Sequence, residues 1–290
     1  MTSQRRLGIF LIILSAVAFG WMPIFGSWAY RSGLETQSLL LIRFTIAAAL
    51  MLAVMMIRRA PWPRGKVLYG LMAMGGLAYV GQAFCYFSAL RYGSAALAAL
   101  LLYAYPVIVT LASAWWWREK LSRRTMAALL LACFSLVLTI GPAGGQWLGV
   151  VFGLLAALIY SAYILAGSRL TPLAGALPAA TVVMMSAAAS LWLTTLYHPV
   201  SWPVSTTGWL AATAIALVST VVAIFAFLAG MDRLSASEAS TLSTLEPVVS
   251  VLLAALILGD HLTPLQLVGG VGIVIATLLI ALSPAIPVPE

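Results

Sequence analysis

The chain has 290 residues, 63% of them hydrophobic and only 8% charged, with a formal net charge of +8 and a mean hydropathy of +1.08. Soluble domains carry about 25% charged and 45–50% apolar residues, so a water-soluble enzyme or binding module is excluded, and the same figures exclude disorder. At about 20 apolar residues per crossing, ten membrane helices use roughly 200 residues and leave only loops and tails, with no room for an extramembrane catalytic or receptor domain.

Apolar runs bounded by Gly and Pro predict the elements in chain order. Helix 1 covers Leu7–Ala29 behind Arg5 and Arg6; it is too long for a signal-peptide core and lacks a small-x-small cleavage site. Helix 2 covers Ser38–Ile57, helix 3 Val67–Leu90, helix 4 Ser94–Trp117 and helix 5 Thr125–Ile140. Helix 6 covers Trp147–Gly167, helix 7 Leu177–Tyr197, helix 8 Gly208–Gly230, helix 9 Glu238–Leu258 and helix 10 Pro264–Ser283. Breaks fall at Pro61-Trp62-Pro63, Gly141-Pro142, Thr171-Pro172 and Trp202-Pro203, and the tail Pro284–Glu290 is proline-rich. Cys85 and Cys133 sit inside apolar runs without metal-type spacing and read as packed thiols.

The basic residues give an orientation. With the N-terminus in the cytoplasm, 12 Lys and Arg fall in inside segments and 2, Arg31 and Arg91, in outside loops, while Arg43 lies within helix 2. This asymmetry is the positive-inside signal, and it places both termini in the cytoplasm. The positive charge is therefore read as topology, and no nucleic-acid partner is expected.

An ungapped shift of 141 residues lays the second half on the first. Pro106 falls on Pro247, Glu119 on Asp260, Leu121 on Leu262, Gly8 on Gly149 and Phe19 on Tyr160. Residues 1–141 and 142–290 thus read as two five-helix repeats. Five is odd, so the second repeat inserts upside down. The loop after helix 4 keeps Arg118, Lys120, Arg123 and Arg124, whereas the loop after helix 9 has none of them. Inverted repeats are characteristic of secondary transporters, with the site near the midplane where the halves meet. The expected fold is an all-α membrane protein of ten transmembrane helices, two inverted five-helix repeats around a central cavity.

Pro106 and Pro247 fall near the middle of helices 4 and 9. A helix-interior proline donates no hydrogen bond to the carbonyl four residues back, which is costly in hydrocarbon unless protein or water meets that carbonyl. They are candidate hinges beside a cavity. Glu246 is the one carboxylate well inside an apolar run, and intramembrane charges face a cavity or a partner; holding a substrate ammonium, carrying a proton and bracing a helix all remain open for it. Arg43 lies roughly 7 Å in from Ser38 at 1.5 Å per residue and reads as structural. A direct pair with the deeper Glu246 is not expected, while snorkelling and contact with a substrate carboxylate stay open. Tyr79, Gln82 and Tyr86 share a face of helix 3, Tyr160 and Tyr163 one of helix 6, and Ser243 and Pro247 one of helix 9, with Trp21, Tyr103 and Tyr105 near mid-span. Each of these also suits plain helix packing. Together they suggest a cavity with apolar walls and polar tips. Trp115, Trp116 and Trp117 read as interfacial anchors. No phosphate-binding glycine loop, His-Glu metal motif or Ser-His-Asp signature is present, so no enzyme activity, cofactor or metal is expected. Oligomeric state cannot be read, because small-residue faces are everywhere.

With ten helices in two halves, Arg43 in helix 2, Pro106 in helix 4, Glu246-Pro247 in helix 9 and the acidic Glu119 and Asp260, the chain resembles the EamA-type branch of the drug/metabolite transporter superfamily. Within it the chain looks most like bacterial inner-membrane exporters of aromatic and other neutral amino acids. Two features depart from the family pattern: Phe19-Gly20 fills a slot that is often Trp-Gly, and Met184 stands at the position shifted from Arg43. The resemblance implies alternating access in the bacterial inner membrane and amino-acid export. Candidate substrate-binding residues are Trp21, Tyr79, Gln82, Tyr103, Tyr160, Tyr163, Ser243 and Glu246. The alternatives are an exporter of another small metabolite or drug, or a membrane scaffold that moves nothing.

Overall fold

The computed structural model describes residues 3–116, 123–140, 146–197, 199–231, 242–243 and 245–281, and every regular element among them is helical. Six helices there are long and apolar enough to cross a membrane: Arg6–Arg31, Thr36–Ile57, Gly65–Tyr92, Trp147–Ala174, Ala176–Thr194 and Thr206–Phe227. Four shorter apolar helices, Ala95–Val109, Met126–Leu138, Leu245–Leu258 and Pro264–Ala276, fall on the runs expected for helices 4, 5, 9 and 10. The expected start of helix 9 at Glu238, the end of helix 4 at Trp117, Glu119, His198 and the proline-rich tail lie outside the described residues.

Several spans are interrupted, and the interruptions have local causes. The first span divides into α1 (Ser3–Gly20) and α2 (Met22–Arg31) at Trp21, with Pro23 in the first turn of α2. Pro23 has no N–H to give Phe19, and Ile24 donates instead to the Trp21 carbonyl at 3.1 Å. After α3 (Thr36–Ile57), the third span is α4 (Gly65–Ala73), a π-helical turn Met74–Tyr79 and α5 (Val80–Tyr92). The fourth divides into α6 (Ala95–Leu102) and α7 (Tyr105–Trp116) around Tyr103 and Ala104, directly ahead of Pro106. Then follow α8 (Arg123–Ile140), α9 (Trp147–Ala174), α10 (Ala176–Thr194) and α11 (Thr206–Ala216), which runs through a second π-helical turn, Leu217–Val222, into α12 (Ala223–Met231). The described helix α13 (Leu245–Leu253) ends in a third π-helical turn, Ala254–Leu258, before α14 (Pro264–Ala281).

Two expectations need correction. Helix 6 does not stop before Thr171-Pro172: α9 carries Pro172 inside its last turn and ends at Gly175, whose φ of 81° suits glycine. A proline so near a C-terminus forfeits one bond with little helix left to disturb. Cys85 is buried as expected, but Cys133 is exposed on α8, among the exposed Leu130, Phe134 and Val137.

The main helix pairings cross between the halves of the sequence. The pairs are α3 with α10, α8 with α14, α5 with α9, α1 with α12, α7 with α9 and α1 with α13. Exchanging the halves by 141 residues maps α3–α10 and α8–α14 onto themselves, α5–α9 onto α12–α1, and α7–α9 onto α13–α1. The largest apolar cluster accordingly takes Phe44 and Phe87 from one half and Ala187, Ala212 and Ala254 from the other. The halves therefore share one core. Outward-facing Leu158, Leu210 and Val268 are exposed, as suits a surface solvated by lipid chains, where apolar exposure carries no cost.

Packing is closest where glycine removes the side chain. Gly75, in the first π-helical turn, lies against α10 so that a Cβ there would strike the Val183 carbonyl oxygen and come within 2.6 Å of Ser186 Oγ. A Cβ on Gly81 would meet only Ile159 Cδ1 at 3.7 Å. At one end of the bundle, Asp260 Oδ2 accepts from the Ala96 N–H at 3.2 Å, beside the Ser94 cap on Leu97 at 3.1 Å, so the loop after α13 caps α6. Gly75→Ala is expected to destabilise the protein by about 1–3 kcal/mol through overpacking against backbone, with Gly81→Ala close to neutral. Melting temperatures of the two variants in detergent, measured side by side, check this.

Candidate functional site

Three of the helix interruptions converge on one cavity. It is lined by Phe19 and Met22 at the α1/α2 break, Tyr79 at the end of the first π-helical turn, and Leu102, Tyr103 and Tyr105 at the α6/α7 break. Gln82, Ala83 and Tyr86 of α5, Arg43 of α3, Tyr160 of α9 and Glu246 of α13 complete it. Irregular backbone is tolerated at membrane depth only where protein or a water-filled cavity surrounds it, and serine hydroxyls meet the carbonyls at these breaks. Ser219 donates to Ala18 O at 2.6 Å, Ser250 to Gly20 O at 3.3 Å, and Ser161 to Tyr105 O at 3.3 Å. The lining is paired by the repeat: Phe19 corresponds to Tyr160, and Tyr105 to Glu246.

The cavity encloses about 90 Å³. A void of about 150 Å³ is what takes a benzene molecule. An aromatic side chain therefore enters only if the walls part. The rings are in mutual contact: Tyr105 meets Tyr160 edge-on at 4.9 Å, and Tyr79 stacks on Tyr163 at 5.3 Å, which in turn stacks on Tyr160 at 5.9 Å.

Two charges of opposite sign line this space. Arg43 is 2% exposed. Its Nε donates to Thr220 Oγ1 at 3.0 Å and its Nη2 to the Tyr79 hydroxyl at 3.2 Å. Its guanidinium carbon lies 5.0 Å from the Phe44 ring centroid, 5.8 Å from Phe87 and 5.9 Å from Tyr79. Thr220 passes its own proton to the Ile215 carbonyl at 3.0 Å, which leaves the hydroxyl oxygen free to accept. Hydrogen bonds to a charged group contribute about 1.5–3 kcal/mol each and ring faces about 0.5–2 kcal/mol each. They offset a desolvation cost of several kcal/mol without neutralising the charge. Glu246 takes the Tyr103 hydroxyl as its side-chain partner, and no ion pair joins it to Arg43 among the described residues. Tyr86 stands within electrostatic reach of both charges.

Of the residues singled out in the sequence, Tyr79, Gln82, Tyr103, Tyr160 and Glu246 line the cavity. Tyr163 sits behind Tyr79 and Tyr160. Trp21 points into a different aromatic group, stacked on Phe25 at 5.3 Å and tilted to Trp28 at 6.5 Å. Ser243 is half-buried and outside the lining, and Pro247 is buried in the first turn of α13. The backbone of Pro106 lies in the first turn of α7; its side chain, and those of Trp115 to Trp117, lie outside the described set. Arg43, read from the sequence as structural, reaches the cavity and neither snorkels nor pairs with Glu246. Tyr86 and Tyr105 carried a sequence signal as mid-span tyrosines. Phe19 carried one as the repeat counterpart of Tyr160, whereas Met22, Ala83 and Leu102 carried none, since their types are common in any buried helix. No group of three metal-ligating side chains gathers among the described residues.

The sequence model of the EamA-like transporter family matches residues 6–141 and again 147–282, two matches displaced by the same 141 residues at both ends. The chain is 28% identical to the uncharacterized transporter YcbK of Bacillus subtilis, over 93% of this chain and 91% of that one. It is 28% identical to an uncharacterized transporter of Archaeoglobus fulgidus over 95% and 96% of the two chains. It is 29% identical to the aromatic amino acid exporter YddG of Ancylobacter novellus over 73% of this chain and 76% of that one. A solved crystal structure aligns with 94% of this chain and 95% of its own at a TM-score of 0.66 and 23% identity, a likeness of fold.

Thr220 is the only residue outside the first half that holds the Arg43 guanidinium by a hydrogen bond among the described residues. Thr220→Val keeps the shape and leaves the buried Nε–H unpaired, so it is expected to cost about 1–3 kcal/mol, read as a lower melting temperature in detergent.

Proposed function

This chain belongs to the EamA-like transporter family, and from that premise we propose that it is a secondary transporter exporting amino acids, aromatic and hydrophobic ones favoured, by alternating access. That it is a multi-pass membrane transporter follows from the family. The substrate and the direction of transport are the proposal. The observation that carries it is the cavity itself, where tyrosine rings surround a space bearing one cation and one carboxylate. The name of the Ancylobacter novellus relative supports the same substrate class.

In this reading Tyr79, Gln82, Tyr103 and Tyr160 contact the substrate, Tyr163 and Trp21 back the aromatic wall, and Ser243 and Glu246 supply the polar grip. Ten helices form two inverted five-helix repeats, 1–141 and 142–290. The helix pairings that survive exchange of the halves support this arrangement, and the 12 to 2 distribution of basic residues supports cytoplasmic termini in a bacterial inner membrane. Rocking of the halves opens the cavity, which is too small for an aromatic ring as it stands. The break ahead of Pro106 is where bending costs least, and Pro247, with no N–H to donate, likewise removes a rung from its helix's carbonyl ladder.

Purified protein in liposomes loaded with labelled amino acids is expected to give saturable flux, greatest for aromatic and large apolar ones, and absence of flux for every amino acid would overturn the substrate assignment. Glu246→Gln removes the carboxylate and is expected to weaken apparent affinity by a factor of about thirty or more, the equivalent of about 2 kcal/mol. Repeating the assay across an imposed pH gradient separates proton-coupled export from facilitated diffusion.

A further inference from the structure

Arg43 is more than nine-tenths buried, and none of the described carboxylates pairs with it. Of the five N–H donors on a guanidinium, one at Nε goes to Thr220 and one at Nη2 goes to Tyr79. Three have no acceptor among the described residues. The ring faces of Phe44, Phe87 and Tyr79 surround the cation, and rings supply no hydrogen-bond acceptor in the guanidinium plane. Arg43 lines the cavity, so its guanidinium is within reach of a ligand that enters there. Tyr79 accepts from Arg43 and has its own hydroxyl proton left for an acceptor on the same wall. A planar fork of donors with an adjacent hydroxyl matches the two oxygens of a carboxylate.

The opposite charge in the cavity is Glu246, held by Tyr103 and separate from Arg43. Had the two charges been a structural pair, they would meet. Unpaired with each other on one cavity, with Tyr86 in electrostatic reach of both, they match a molecule that itself carries both charges.

We infer that Arg43 is the carboxylate receptor of the transport site, so that a zwitterionic α-amino acid lies across the cavity with its carboxylate at Arg43 and its ammonium at Glu246. This rests on the reading of the chain as an amino-acid exporter and fixes the polarity of the substrate within it. The two residues that hold Arg43 are equivalent in the repeat: Tyr79 shifted by 141 is Thr220, and each belongs to a π-helical turn. The cation has no counterpart in the second half, where Met184 stands. It is therefore gripped from both halves at once. A carboxylate bound to Arg43 touches the contact across which the halves move.

The test is calorimetric titration of the purified full-length protein with three probes that share a phenyl ring: L-phenylalanine, phenethylamine, which lacks the carboxylate, and 3-phenylpropionate, which lacks the ammonium. The wild type is expected to bind phenylalanine at least about ten-fold tighter than phenethylamine, as a site left with unpaired donors rejects the truncated analogue. Arg43→Gln is expected to bring those two ligands within about two-fold of each other while phenethylamine affinity changes little. Arg43→Lys keeps the charge, loses the fork and retains a reduced preference; it serves where Arg43→Gln does not fold. Equal binding of phenylalanine and phenethylamine to the wild type overturns the inference. So does an Arg43→Gln protein that weakens all three ligands alike, which marks Arg43 as a brace. Liposome flux separates the two readings. Saturable phenylalanine flux without carboxylate discrimination leaves the exporter standing and removes the role of Arg43. Discrimination without flux does the reverse, and no binding of phenylalanine to the folded wild type removes both.

Discussion

In hydrocarbon, a backbone N–H or C=O without a partner is not forgiven by solvent, and the architecture follows from that constraint. The periphery is regular helix clothed in Leu, Val and Phe. The two full breaks, at Trp21 and at Tyr103–Ala104, lie where other helices and the cavity surround them. At the first break the Ala18 and Gly20 carbonyls, which lose α-helical donors near Trp21, are met by Ser219 and Ser250. At the second, Tyr103 and Ala104 tighten to three-residue bonds onto Leu100 and Leu101 at 3.2 and 3.1 Å. The cavity is thus a consequence of broken helices, and the small hydroxyl residues around it keep those breaks affordable to the fold.

Charge is governed by the same constraint. A guanidinium buried to 2% exposure persists because two hydroxyls and three ring faces surround it. The carboxylate of Glu246 persists with a phenol for company. Neither arrangement cancels a charge, so the electrostatic field of the centre lies in a space with apolar walls, where it is screened less than in water. The scaffold is close to symmetric under exchange of the halves, but the lining is not. Under the shift Phe19 corresponds to Tyr160, Tyr105 to Glu246 and Arg43 to Met184. In the proposed transport cycle, a nearly symmetric frame would supply the rocking motion and an asymmetric lining would give the bound molecule one orientation.

Much of this was legible in the residues. The 141-residue shift that aligns Pro106 with Pro247 reappears in α8 and α14, whose ends are displaced by that number, and in the two matches to the family. Tyr79, Gln82, Tyr103, Tyr160 and Glu246 stand out in the sequence because tyrosine, glutamine and glutamate are conspicuous in an apolar chain. Trp21 stands out for the same reason, yet it packs on Phe25 and Trp28, while Phe19 and Met22 at the Pro23 break line the cavity instead. The π-helical turns escaped altogether. Each adds a residue to a turn and so rotates the following face by about 100°, which periodicity counted from the start of a helix does not follow.

The sequence by itself determined that this protein lives in a bilayer, that its two halves are related, and that Arg43 and Glu246 are exceptional, because composition, repeat and charge are properties of the chain that no packing alters. The tertiary structure decided which faces look inward and what Arg43 meets. Those outcomes depend on kinks, π-helical turns and contacts between residues far apart in the chain, 177 positions for Arg43 and Thr220 and 230 for Gly20 and Ser250. Nothing in the local order of residues encodes that Tyr79 and Thr220 converge on one guanidinium. Their convergence is produced when the two halves fold around a shared core.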